Sequence, residues 1–100
     1  MAQPVSGSTE ALVAKYIAQL MTIAKTKRKG AGVTPYQVVS GSGPAYYMAP
    51  QARTHIKVNR GSEILVLPLD PDEQGRFHVV DLHGRYFLIP EDEIINLGFN

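Results

Sequence analysis

Three short apolar runs near the C-terminal end constrain the fold more than any other feature of this chain. They cover residues 64–67, 77–82 and 86–89, and polar turns rich in glycine, proline and acidic residues separate them. Short apolar runs bounded by such turns are typical of antiparallel strands. The pattern therefore predicts a small antiparallel sheet or barrel in this part of the chain.

A further strand is predicted before these runs, because residues 54–58 alternate between polar and apolar side chains. His83 and Gly84 stand between two runs, where a two-residue hairpin turn would fit. Residues 91–94 fit one short helical turn. Phe77 is expected to be buried so deeply that Phe77→Ala costs about 3–5 kcal/mol. The predicted core residues are Ile64, Val66, Phe77, Val79, Phe87 and Ile89.

The N-terminal part predicts one amphipathic helix over residues 8–29, preceded by a flexible tail over residues 1–7. Leu12, Tyr16 and Ile23 are apolar but lie beside the main apolar stripe of this helix. That surplus exceeds what one small barrel would cover, and an exposed apolar stripe usually marks an interface. The alternative is that the barrel uses all of these residues as core. The main stripe itself consists of Val13, Ile17, Leu20 and Ala24.

Residues 30–53 differ from the rest of the chain because glycine and proline interrupt them repeatedly. Only residues 36–39 have the pattern of a strand. We predict an irregular connection here, followed by a β-barrel over residues 54–100. Residues 8–100 are then a single domain, as expected for a chain of 100 residues. No internal repeat is visible.

The order of the C-terminal pieces points to a known architecture. A turn with glycine and an acid leads into an apolar strand, followed by a hairpin, a glycine turn, an aliphatic–proline pair and one helical turn. These pieces are residues 61–63, residues 64–67, residues 77–80, Gly84, Ile89 with Pro90, and Ile94. In this order the chain resembles SH3-like barrels. The resemblance implies an α+β fold in which the N-terminal helix packs on a C-terminal SH3-like antiparallel β-barrel.

The resemblance implies a binding role rather than one particular partner. SH3-like barrels serve as assembly pieces, as nucleic-acid binders and as small subunits of larger machines, and a fold does not choose among these functions. Peptide-reading members stack polyproline on aromatic side chains that include a tryptophan. This chain has no tryptophan, and Glu93 stands where the family pattern places a tyrosine.

Composition limits the chemistry that is available to the chain. Cysteine is absent, which excludes disulfides and thiolate metal sites and is compatible with the cytoplasmic location that we expect. The apolar stretch over residues 11–24 is too short and too polar to span a bilayer. No secretory signal pattern is found at the N-terminus. We therefore expect no membrane association.

Charge is divided unevenly along the chain although the net charge is only +1. Residues 1–60 hold eight Lys or Arg and one acid, whereas residues 61–100 hold two Arg and eight acids. Such a split suits an anionic partner at one pole or head-to-tail assembly of identical subunits. Mutual neutralisation within one fold explains it equally well.

Residue patterns typical of catalytic and metal sites are incomplete in this sequence. Residues 70–81 partly match a calcium loop, but they lie between strands and end in Asp81 rather than glutamate, which favours a solvated hairpin turn. The histidines lack metal-ligand spacing, and the serines near Gly41 lack a nucleophile motif. We therefore expect no enzymatic activity, no cofactor and no metal.

Two surfaces remain as candidate sites. The leading hypothesis is a protein-interaction or assembly subunit of a larger complex, with another protein or a second copy of itself as partner; the small size leaves a viral assembly protein open. Its candidate partner-binding residues are Leu12, Tyr16, Ile23, Tyr46, Tyr47 and Met48. The alternative is a small nucleic-acid-binding or transcription-regulating protein that uses the basic end of the helix. Its candidate residues are Lys25, Lys27, Arg28, Lys29 and Arg53.

Overall fold

The computed structural model describes residues 7–26 and 36–98, with side chains at positions 9–22 and 37–96. These residues form one helix, seven strands and a short 3-10 turn. In chain order they are α1 (Gly7–Thr26), β1 (Tyr36–Val39), β2 (Pro44–Ala49), β3 (Thr54–Asn59), β4 (Glu63–Val66), β5 (Arg76–Asp81), β6 (Tyr86–Pro90), the 3-10 turn (Glu91–Glu93) and β7 (Ile94–Gly98).

The strands form two antiparallel sheets. The larger sheet has five strands in the order β6–β5–β4–β1–β7, and β2 and β3 pair as a separate hairpin. In the large sheet, β1 brings together distant parts of the chain, because Val38 pairs with Glu63 on one side and with Ile95 on the other. The α+β class is therefore confirmed, but the strands are not closed into a barrel.

Both faces of the large sheet are covered, which gives the molecule three layers. Neighbouring residues of one strand point to opposite faces, and accordingly Ile64 and Val79 join one core cluster whereas Leu65 and Val80 join the other. The hairpin-side core lies under β2 and β3 and consists of Val39, Ala45, Tyr47, Ala49, Val58, Ile64, Val79, Phe87 and Ile89. The helix-side core lies under α1 and consists of Val13, Leu20, Leu65, Leu67, Val80 and Tyr86.

The described residues of the main apolar stripe pack as the periodicity predicts, since Val13 and Leu20 are buried and Ile17 is half-buried against the helix-side core. Tyr16 was expected to lie beside this stripe without cover, but it also packs against the helix-side core. The helical assignment holds from Gly7 to Thr26, and the basic residues that were expected to end it, at positions 27–29, lie outside the described residues.

The irregular connection expected over residues 30–53 is wrong at residues 44–49. Residues 36–39 form β1, as their strand pattern predicts, whereas residues 44–49 form β2, which pairs with β3 along its whole length. The alternation in β2 was hidden because two of its inward side chains, Ala45 and Ala49, are small. β7 was also missed, since its pairing partner β1 is far away in the sequence.

Four of the six predicted core residues are buried, and two are only half-buried. Ile64, Val79, Phe87 and Ile89 are each at most 1% exposed. Val66 and Phe77 pack on the edge of the hairpin-side core. Phe77 is the second residue of β5, next to the turn, in the half of the strand that is only half-buried. The deep burial that was expected for Phe77 is therefore wrong.

Candidate interaction groove and basic pocket

The turns before and after β5 share the five-residue pattern Asp-x-x-Gly-Arg, a short internal repeat that was not recognised in the sequence. In the first turn, Asp72 Oδ1 accepts the backbone N–H groups of Gln74 and Arg76, and Asp72 Oδ2 binds the Arg76 guanidinium at 2.8 Å. Burial opposes ionisation of Asp72 most strongly, but these donors together hold the pKa of its carboxyl below the usual value. Gly75 supplies the positive φ that closes the turn.

The second turn repeats these contacts with a buried aspartate. Asp81 Oδ1 accepts the N–H groups of His83 and Arg85, and Asp81 Oδ2 binds the Arg85 guanidinium. Gly84 carries the positive φ at 78° and donates its N–H to the Asp81 carbonyl, so this loop is longer than the predicted two-residue turn. Arg85 Nη1 also donates to the Lys57 carbonyl at 2.7 Å, which ties the turn to β3.

These contacts involve two of the carboxylates that the calcium-loop pattern would use. Asp72 and Asp81 stand at its third and twelfth positions, and both carboxylates accept backbone N–H groups and bind an arginine. Each turn instead holds one arginine, Arg76 or Arg85, in a fixed orientation. The two arginines line two different concave surfaces.

The first surface, which we call the tyrosine groove, lies between β2 and the C-terminal end of β6, beside the 3-10 turn. It is an open depression of about 230 Å³. Tyr46 is the most exposed large apolar side chain among the described residues, with 63% of its surface accessible. The walls are Tyr46, Met48, His55, Arg60, Arg76 and Pro90, and Tyr47 and Glu93 also contribute to the lining.

Tyr47 is buried and anchors this surface to the core. Its ring stacks on Phe87 with 5.4 Å between the ring centroids, and its hydroxyl donates to Glu93 Oε1 at 2.6 Å. Burial, followed by the hydrogen bond to Glu93 and the negative charge of Glu93, raises the pKa of the Tyr47 hydroxyl well above its usual value, while the charge of Arg60 acts in the opposite direction. This contact fixes the 3-10 turn against β2.

The raised pKa of Tyr47 predicts alkaline destabilisation. Because the folded protein favours the neutral phenol, the stabilisation is complete below the unfolded pKa of about 10 and is lost as the pH rises beyond it.

We expect Tyr47→Phe to cost about 1 kcal/mol at neutral pH by removing a hydrogen bond. We also expect it to reduce the loss of stability above roughly pH 10. Urea unfolding at neutral pH and above roughly pH 10 measures the two effects. Tyr46→Phe is the matched control because it removes an exposed hydroxyl. Equal alkaline loss in Tyr47→Phe and the parent protein would contradict the assignment.

The second surface, which we call the basic pocket, lies where β3, the β3–β4 turn and the β5–β6 turn meet. It is an open depression of about 350 Å³ lined by Lys57, Asn59, Ser62, His83 and Arg85. Every lining side chain is polar, and none is a carboxylate. Ser62 Oγ donates to the Asn59 carbonyl and so belongs to the turn itself.

The structure brings together half of the residues that were predicted to bind a partner. Tyr46 and Met48 meet in the tyrosine groove, and Tyr47 supports it from below. Alternation along β2 separates the two tyrosines, since Tyr46 points outward and Tyr47 inward. Leu12 and Tyr16 are half-buried on α1, so neither is fully available to a partner. The side chain of the remaining candidate, Ile23, lies outside those described.

The predicted nucleic-acid residues are largely beyond what the structure describes. Positions 27–29 lie outside the described residues, and the side chain of Lys25 is not among those described. Arg53 is exposed in the β2–β3 turn with a φ of 58°. The basic-run hypothesis therefore stays a prediction.

Sequence reasoning missed most of the charged residues of both surfaces. Arg60, Arg76 and His55 in the tyrosine groove come from separate strands and turns, as do Lys57 and Arg85 in the basic pocket. The repeated Asp-x-x-Gly-Arg pattern was the signal that could have identified the two arginines as fixed groups.

His78 and Tyr86 form a pair that supports the fold. His78 Nδ1 lies 2.6 Å from the Tyr86 hydroxyl, and the two rings stack. Burial lowers the pKa of His78, which a hydrogen bond to the Asp70 backbone and the charge of Asp72 partly offset. Tyr86 belongs to the helix-side core, and burial raises the pKa of its hydroxyl. Among the described residues, no three His, Asp or Glu side chains are grouped closely enough to hold a metal ion.

Comparisons with protein-family models, curated proteins and solved structures gave no match for this chain. In the described part of the chain, no helix is long and apolar enough to cross a membrane.

Proposed function

We propose that this chain is a non-enzymatic interaction subunit that docks an extended segment of another protein in the tyrosine groove. The observation that carries the proposal is the exposed ring of Tyr46, held on a strand at the edge of an open groove and flanked by Met48 and Pro90. Exposed tyrosines of this kind are the residues that interfaces favour, because they bury a large area at a small loss of conformational entropy.

The groove has the rigidity that a docking surface needs. β2 is fully paired with β3, and Tyr47 connects it to the core through Phe87 and to the 3-10 turn through Glu93. The groove walls are therefore preorganised, which reduces the entropy that a ligand must overcome on binding.

The charge of the groove favours an acidic segment. Arg60 and Arg76 line it, and Glu93, its acidic lining residue, already accepts a hydrogen bond from Tyr47. Arg76 is held by Asp72, so Arg60 contributes most of the uncompensated positive charge. A segment with aspartate or glutamate beside apolar side chains complements this surface.

The SH3-like architecture is part of the proposal, as an open variant. Glu63 begins the apolar strand β4, β5 and β6 form the hairpin, and Pro90 leads into the 3-10 turn before β7. This is the order of pieces on which the resemblance rests. The tyrosine groove lies beside that 3-10 turn, but it lacks the tryptophan of polyproline readers, so we propose acidic rather than proline-rich ligands.

Selection from a random peptide library on the immobilised protein tests the proposed function. We expect enriched peptides that combine acidic and apolar residues. Tyr46→Ser should weaken their binding by at least about tenfold, because a central interface tyrosine commonly contributes 2 kcal/mol or more. Met21→Ser is the matched control, since it removes another exposed apolar side chain, on α1. Failure to enrich any peptide, or equal loss in the Met21 variant, would contradict the proposal.

A further inference from the structure

We propose that the basic pocket is a binding site for a phosphate group, separate from the tyrosine groove. The pocket lies in the acid-rich C-terminal half and at the junction with β3, yet its lining holds Lys57, Arg85 and His83 and no carboxylate. A concave surface lined by polar residues, two of them cationic and none a carboxylate, suits an oxyanion.

Arg85 is the fixed element of this site. Asp81 holds its Nε and Nη2, and the Lys57 carbonyl holds its Nη1, so the guanidinium cannot rotate away. Each terminal nitrogen of a guanidinium carries two hydrogens. One hydrogen on Nη1 and one on Nη2 therefore remain for a ligand. Guanidinium donors of this kind form charge-assisted hydrogen bonds with phosphate oxygens.

The carboxylate of Asp81, which neutralises Arg85, does not line the pocket. The Asp81 side chain is only 1% exposed, whereas the Arg85 side chain is 33% exposed. A ligand in the pocket therefore meets Arg85 rather than Asp81, and the exposed Lys57 lines the same pocket. The volume of about 350 Å³ also leaves space for the group to which the phosphate is attached.

The duplicated turn provides an internal comparison. Arg76 is held by Asp72 in the same manner, but it lines a groove that contains Glu93 and apolar walls. The same five-residue turn therefore presents an arginine to a groove with mixed apolar and charged lining on one surface and to an all-polar pocket on the other.

A titration of the isotope-labelled full chain with inorganic phosphate, followed by nuclear magnetic resonance, tests the proposal. Chloride at equal ionic strength is the reference. We expect saturable shifts at the amides of Lys57, His83 and Arg85, with a dissociation constant on the order of 1–10 mM, as a few exposed charge-assisted contacts allow. Lys57→Gln should weaken binding by roughly three- to fivefold, the contribution of one exposed ion pair. Lys15→Gln, which removes the same charge from the exposed face of α1, should leave binding unchanged.

Two further ligands distinguish the sources of the phosphate. Tighter binding of a short single-stranded oligonucleotide assigns the pocket to nucleic acid, and tighter binding of O-phosphoserine assigns it to a phosphorylated protein. Equal affinity assigns it to the phosphate group alone. Shifts with phosphate no larger than those with chloride, or equal weakening by Lys57→Gln and Lys15→Gln, would overturn the proposal.

Discussion

Phe87→Ala is expected to lower the free energy of unfolding by about 3–5 kcal/mol, a large part of the 5–15 kcal/mol that is typical of a small domain. Phe87 is 0% exposed, lies in the hairpin-side core and stacks on Tyr47. Removing its ring leaves a cavity between the large sheet and the β2–β3 hairpin. Urea unfolding measures the loss, and Phe87→Leu supplies a milder variant if the alanine protein does not fold.

Phe77→Ala is the matched control for this prediction. The apolar runs alone predict the same cost at both positions, whereas Phe77 is only half-buried at the start of β5. We therefore expect Phe77→Ala to cost clearly less than Phe87→Ala. An equal or larger effect at Phe77 would contradict the packing described for the hairpin-side core.

Asp81→Ala is expected to cost about 3 kcal/mol, near the lower end of the range for breaking a buried ion pair. The residue is 0% exposed, and its loss leaves two backbone N–H groups and the Arg85 guanidinium without their acceptor. Arg85 keeps some contact with water, which limits the penalty. Thermal and urea unfolding measure the change.

Asp72→Ala is the matched control for Asp81→Ala, because Asp72 has the same set of partners in the first turn. Its side chain is 17% exposed, so water can replace part of what is lost. We expect a cost of about 1 kcal/mol, as for an accessible ion pair with its hydrogen bonds. An equal loss of stability in Asp72→Ala and Asp81→Ala would contradict the claim that burial makes Asp81 the more important residue.

Local patterns in the sequence predict the parts of this fold that depend on neighbouring residues. The strands β4, β5 and β6 and the 3-10 turn all follow from short apolar runs bounded by turn residues, and α1 follows from its helical spacing. Phe77 shows the limit of this reasoning, since an apolar run does not reveal which of its members lies at the edge of the core.

The missed elements depend on contacts between distant segments. β7 is defined by its pairing with β1, in which Val38 lies opposite Ile95, and no local pattern reports that contact. β2 does alternate, but the small side chains of Ala45 and Ala49 conceal its buried face. The closed barrel was expected from the order of the pieces, and that order does not determine closure.

The candidate sites also combine residues that a local sequence pattern identifies with residues that only the fold brings together. Tyr46 and Met48 were identified in the sequence because they are apolar residues in a glycine-rich context. Arg60 and Arg76 join them only through the folding of the turns, and the basic pocket combines Lys57 with Arg85 in the same way. A site whose residues come from turns of separate hairpins can be recognised only in the folded structure, where the strands bring those turns together.

Mapping one selected acidic peptide onto the labelled protein by nuclear magnetic resonance tests the central claim most directly. The tyrosine groove predicts that amide shifts concentrate in β2, at the start of β3 and in the 3-10 turn, and that Tyr46→Ser abolishes them. It also predicts that the amides of α1 and of the β5–β6 turn stay unchanged. Shifts confined to α1, or peptide binding that is unaffected by Tyr46→Ser, would contradict a docking role for this groove.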